Sequence, residues 1–140
     1  MDTKICVGAI IYNDKKEIFL MTSIKWKGYI VPGGEILNNE TEINALKRTI
    51  FKKLGIEIEN IQKIGEKIKQ PSSDFIKNNS LRFKFIDFFA KAKSNDIEIN
   101  KDIKTYNWFN IDYALKNLEL LDTTREFIET FKLYLSAELI

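Results

Sequence analysis

The chain has no histidine and only one cysteine in its 140 residues. Without imidazole there is no Ser–His or Cys–His nucleophile pair, no histidine general base and no histidine metal ligand. Acid–base or metal chemistry must therefore use Asp, Glu, Lys, Tyr or Cys6. A lone cysteine cannot close an intramolecular disulfide, which fits a reducing compartment. Cys6 lies in the apolar run Ile5-Cys6-Val7-Gly8-Ala9-Ile10-Ile11, where a thiol is expected to be buried and inert. Charge of one sign is also lacking: 22 Lys and Arg against 20 Asp and Glu leave a net charge of +2, too weak a bias for general nucleic-acid binding or an anionic membrane. No apolar run reaches the length of a membrane span, and the N-terminus has no signal-peptide pattern. The expectation is a cytoplasmic protein.

The composition is that of an ordinary globular domain, with 44% hydrophobic and 30% charged residues. A chain of this length is expected to form one domain, residues 1–140, and to bury roughly two-thirds of its unfolded surface. Residues 4–12 and 17–24 are apolar and rich in β-branched types, and the polar turn 13–16 between them predicts a hairpin. Tyr29-Ile30-Val31 reads as a short strand stopped by Pro32-Gly33-Gly34, where a turn is the simplest reading.

Residues 41–54 read as a helix. Ile43, Leu46, Ile50 and Leu54 recur at helical spacing, Thr41 suits the N-cap, Glu42 the first turn, Lys52 and Lys53 the last, and Gly55 the C′ position. Residues 56–69 suggest strands with a bulge near Gly65, 70–80 a polar loop, and 81–92 a Phe-rich central strand. Residues 94–104 read as a loop with an edge strand as an option. A short strand at 106–109, a short helix at 112–118 and a terminal helix at 123–139 capped by Asp122 or Thr123 complete the chain. Strands, one helix, strands, one helix predicts an α/β sandwich: a mixed sheet with helices on both faces.

The most informative stretch is 33–56. Gly34, five residues, Glu40, seven residues, Arg48, then Ile50, Gly55 and Ile56 in register resemble the signature of the Nudix hydrolases. Trp26 with Tyr29-Ile30-Val31-Pro32-Gly33-Gly34 before it, and Trp108-Phe109-Asn110-Ile111-Asp112 after it, resemble the flanks of that domain, so the likeness runs nearly the whole chain. It implies a Nudix-like fold and a helix that carries glutamates at positions 49, 52 and 53. At about 100° per residue those positions share one face, opposite the stripe 43/46/50/54. In the family this carboxylate cluster is understood to hold Mg²⁺ against a substrate diphosphate. Here the three positions are Thr49, Lys52 and Lys53. An ammonium offers no lone pair. It also repels a divalent ion, by roughly 5 kcal/mol at about 6 Å and an effective dielectric of about 20. No metal site is expected at Thr49, Lys52 and Lys53. Leu37 fills a further position where many relatives carry an acid, and Asn39 stands where glycine is common, with a side chain that tolerates a left-handed backbone.

The resemblance implies that Glu40 and Arg48 pair in a structural role. Lys52 and Lys53 read equally well as a solvated helix face or as ligand contacts. Glu35, Glu42, Glu66, Asp74 and Asp87 are the acids that could replace lost ligands, with Glu35 the nearest to the Gly-Gly segment. Trp26, Tyr29 and Trp108 read first as packing residues, with base stacking as a second use.

Three functions follow. One is a binding module for a nucleoside diphosphate derivative, with Arg48, Lys52 and Lys53 as its phosphate contacts and little or no Mg²⁺-dependent hydrolysis. Another is a pyrophosphohydrolase whose Mg²⁺ or Mn²⁺ is held by acids outside the helix. The last is a protein-interaction scaffold. The catalytic residues are unassigned beyond the motif positions Gly34, Glu40 and Arg48 and the replacement acid Glu35. The expected partner is a small nucleotide derivative, with no general nucleic-acid or membrane binding and with a homodimer left open.

Overall fold

The computed structural model describes residues 3–69 and 82–140. The expected polar loop at 70–80, with Asp74, and the start of the Phe-rich strand at Leu81 lie outside them. The elements run β1 (Thr3–Tyr12), β2 (Ile18–Thr22), β3 (Gly33–Glu35), α1 (Glu42–Leu54), β4 (Ile58–Lys69), β5 (Arg82–Ala92), β6 (Thr105–Phe109), α2 (Ile111–Asn117) and α3 (Asp122–Ser136). The sheet order is β4-β5-β1-β2-β6, with β3 paired separately to β1. The β1–β5 pair is parallel and the other pairs are antiparallel, so the sheet is mixed as expected. No helix among the described residues is long and apolar enough to cross a membrane.

Two apolar layers hold the helices to the sheet. Val7, Ala9 and Ile11 of β1 and Ile86 and Phe88 of β5 pack with Leu46, Ile50 and Leu54 of α1. The alternate residues Ile10, Tyr12 and Phe89 pack on the other face with Phe127, Ile128 and Phe131 of α3. This is the period-two alternation of strands buried on both sides. The Phe-rich strand is interior, as expected, between β1 and β4.

The β1–β2 hairpin forms at the predicted place. Asn13 organises its turn: its side-chain oxygen accepts from the backbone N–H groups of Lys15 and Glu17, each at 3.0 Å. Helix α1 also matches in its caps. Thr41 accepts from the Asn44 N–H, and Gly55 closes the helix at φ 71°. Asn39 adopts φ 67°, the left-handed conformation its side chain tolerates. A register shift falls between Lys63 and Gly65, where the bulge was expected.

Three expectations need correction. Gly33 and Gly34 are not a turn. They form β3, paired with Gly8 and Val7, while Tyr29 and Ile30 make only isolated bridges, to Leu120 and Met21. A Cβ on Gly33 would lie 2.2 Å from the Val7 carbonyl oxygen, so glycine here permits a close strand approach rather than a reversal. The inward face of α1 is rotated from the predicted stripe: Ile43 is exposed, while Ala45 and Thr49 are buried with Leu46, Ile50 and Leu54. Neither Asp122 nor Thr123 caps α3, whose N-cap is Leu121 without a side-chain bond. Residues 94–104 form a loop, as expected, without the optional edge strand.

Candidate functional site

The C-terminal half of α1, the sheet face beside β3 and the loops after β2 and before β6 enclose a cleft of about 810 Å³. That volume suits a nucleotide-sized ligand.

The approach to the cleft is a clasp. Arg48 holds Glu40 in a forked pair, Nε to Oε2 at 2.6 Å and Nη2 to Oε1 at 2.9 Å. The same Nη2 donates to the Glu35 carbonyl oxygen at 2.9 Å, and the Leu37 N–H donates to Glu40 Oε1 at 2.9 Å. Charge-assisted bonds of this geometry are short and directional. The Arg48 pair holds the Glu40 carboxyl below its usual range, helped by the Leu37 N–H. Glu40 and Arg48 thus bind the loop between β3 and α1 to the helix, the structural role the resemblance implied.

Beyond the clasp the helix presents different chemistry. Lys52 is exposed and Lys53 half-buried, both lining the cleft. Burial pushes the Lys53 ammonium below its ordinary range, Lys25 and Lys52 adding repulsion while Asp102 opposes the shift. Thr49 lines the same cleft from a covered position. It is 3% exposed, its hydroxyl donates to the Leu46 carbonyl at 3.1 Å, and its Cγ2 would lie 2.6 Å from a Cβ at Gly34. Gly34 is therefore the partner of a covered Thr49. The loop before β6 completes the helix end: the N–H groups of Glu98 and Asn100 donate to the carbonyls of Leu54 and Lys53 at 2.8 and 3.0 Å.

Strand register builds the floor in three rows. Lys69, Phe83 and Lys4 form one; Lys67, Phe85, Cys6 and Glu35 the next; Gly65, Asp87, Gly8 and Gly33 the third. Directly paired residues share a face, so each row projects into the same space. Cys6 is half-buried on this floor rather than in the core, and burial with the Glu35 charge pushes its thiol up to about 11. At that value little thiolate exists at neutral pH. Lys25 and Lys101 join from the loops. The lining thus holds eight lysine and arginine side chains against three carboxylates, Glu35, Asp87 and Asp102.

Among the described residues, the replacement acids Glu35, Glu42, Glu66 and Asp87 do not converge on one site. Glu35 pairs with Lys4 at 3.3 Å, both largely exposed, and Asp87 pairs with Lys67 at 3.1 Å. Glu42 and Glu66 each bind Lys63 at 2.9 Å, and Glu66 also binds Lys84 at 3.0 Å. Glu66 lies opposite Ile86, whose side chain enters the α1-side core, so it projects from the other face of the sheet. Among the described residues no group of three or more Cys, Asp or Glu side chains could hold a metal ion. With Lys52, Lys53 and a covered Thr49 hydroxyl at the helix positions, the side chains do not fit Mg²⁺ there.

Trp26 lines the cleft and packs on Phe83 at 5.5 Å. Tyr29 and Trp108 pack against Phe109 and Phe19. Asp102, Lys4, Lys25, Lys67, Lys69 and Lys101 were not singled out by the sequence analysis. For Lys4, Lys67 and Lys69 a signal existed, two-residue spacing beside the Phe83/Phe85 pair, but it needs strand register to be readable.

A family model described as NUDIX domain matches residues 2–131. The chain is 28% identical over 95 residues to an RNA pyrophosphohydrolase of Ruthia magnifica subsp. Calyptogena magnifica, covering 68% of this chain and 48% of that protein. It thus spans about half the length of that curated relative. Similar solved structures include the MutT protein from Methanosarcina mazei Go1, with TM-score 0.75, 19% identity and 93% of each chain covered. Another is the NUDIX domain of Shewanella oneidensis NrtR complexed with ADP ribose, with TM-score 0.77 and 13% identity over 96% of this chain and 90% of that one. At these identities the structural likeness is one of fold.

Proposed function

The chain belongs to the NUDIX domain family, and on that premise we propose that it binds a nucleoside diphosphate derivative through the cations of its cleft, without a metal on α1. The observation that carries this reading is the pair Lys52 and Lys53 lining the cleft at the end of α1, where the family signature places acids. Fixed ammonium groups neutralise a diphosphate directly, which is the task a bridging metal performs elsewhere. Arg48 is engaged by Glu40, so its contribution is to hold the loop, while the two lysines take the phosphates. The excess of cations in the lining supports the same ligand class. One structural neighbour is complexed with ADP ribose, a molecule of this class.

The test is thermal shift against nucleotides, nucleotide sugars and ADP-ribose, in Mg²⁺ and in chelator. A ligand at about 100 times its Kd stabilises by about 2.7 kcal/mol. A shift that persists in chelator, weakens with salt and is lost in Lys52→Met/Lys53→Met supports the reading. A shift that requires Mg²⁺ replaces it with the pyrophosphohydrolase alternative, whose metal would need acids outside the helix such as Glu35 or Asp87.

A further inference from the structure

Asp87 is the most enclosed carboxylate of the cleft, with its side chain 14% exposed. Its strand neighbours are Gly65 on β4 and Gly8 on β1, and Gly8 in turn faces Gly33 on β3. The contact with Val7 explains Gly33. Gly65 sits at the register shift of β4 against β5, a usual place for a strand glycine. A Cβ on Gly8 would meet only ordinary contacts at 3.5 Å or more, and one on Gly65 would meet nothing within 4 Å. Neither has a positive φ, since Gly55 is the only such glycine among the described residues. Gly65 thus leaves open space on one side of the aspartate, while on the other side Gly8 keeps the strand surface low beneath Pro32 and Val31.

The walls of this trough are Phe85, two residues before Asp87 on the same face, and Lys67, whose Nζ binds Asp87 Oδ2 at 3.1 Å and lies 5.2 Å from the Phe127 ring centroid. An ammonium donor and a carboxylate acceptor thus stand side by side next to an aromatic ring. Burial raises the Asp87 carboxyl above its ordinary range, with the Lys67 ammonium opposing the shift. Guanine presents an acceptor, O6, then two donors, N1–H and N2–H, along one edge. Hypoxanthine lacks the second donor. Uracil would set its O2 acceptor against the carboxylate, and adenine and cytosine present an acceptor where N1–H is needed.

We infer that Asp87 and Lys67 read the base of a guanine nucleotide, Lys67 donating to O6 and Asp87 accepting from N1–H and N2–H, where the pair lines the cleft with Phe85 and Phe127. The inference rests on the reading of the cleft as a nucleoside diphosphate site and adds its base. Lys52 and Lys53 line the same cleft as Lys67 and Asp87, so one nucleotide can meet both pairs.

The test is calorimetric titration of the full chain with GDP, IDP, ADP, UDP and CDP in chelator. GDP is expected to bind about tenfold or more tightly than ADP, UDP and CDP, with IDP between. In Asp87→Asn the GDP-to-ADP ratio should collapse toward one, even though removal of a negative charge strengthens both. If that variant does not fold, the GDP-to-IDP ratio of the unaltered chain still decides. Equal affinity for all five nucleotides overturns the guanine assignment and leaves the cationic site standing. Absence of binding by any of the five overturns both.

Discussion

The region around α1 has two parts that have kept different things. At the start, Glu40, Arg48 and the Leu37 N–H form the clasp of the family frame, and Thr41 caps the helix. At the end, the frame keeps Gly55, but Thr49, Lys52 and Lys53 stand where the signature has acids. The clasp bonds the chain to itself, so losing either partner disturbs the loop. The final positions face a cleft, where an acid serves only an ion or a ligand. Lysines there suit the negative end of the helix dipole, which glutamates would oppose. Architecture and chemistry are therefore separable along one short segment, because a fold does not by itself fix a reaction.

The largest effect should come from the architectural side. Gly33→Ala forces a Cβ onto the Val7 carbonyl and should cost about 3 kcal/mol in urea unfolding. Gly65→Ala, in open space, should change stability by less than about 0.5 kcal/mol; a large loss would show that the space beside Gly65 is filled. Next, Arg48→Met should lower Tm and speed hydrogen exchange at the Leu37 amide, whereas Lys52→Met should leave both nearly unchanged. If the two variants behave alike, the comparison fails. A third test converts one part's chemistry: Lys52→Glu/Lys53→Glu should give a Tm that rises with Mg²⁺, while the unaltered chain shows no such rise without ligand.

The smallest effect is in pH dependence. The folded Lys53 has a lowered pKa, so between its folded and unfolded values the unfolded state binds more protons. Stability should therefore rise with pH through the window below the ordinary value of 10.5. Lys53→Met should remove that slope, as measured by Tm from neutral to alkaline pH.

The helix, its caps, the hairpin and the Phe-rich strand were legible because their signals are local: period, capping residues and turn chemistry act within a few positions. The clasp was legible through the motif frame. Helix spacing puts Thr49 with Lys52 and Lys53, and all three line the cleft, but only the tertiary contact with Gly34 covers Thr49 there. Gly33 and Gly34 were read as a turn because glycine after proline signals one locally. Their pairing with β1 is set by residues more than twenty positions away.

The sequence by itself determined the mixed α/β architecture, the absence of imidazole chemistry and the loss of carboxylates at 49, 52 and 53. These follow from residue type and short-range periodicity. Tertiary structure alone decided which charges meet. It placed Glu66 on the far face of the sheet and Asp87 beside Lys67, and it brought lysines from β1, β4, α1 and two loops around one cleft. Strand register and parity govern those meetings, and register is fixed by long-range pairing, which no single segment of the chain encodes.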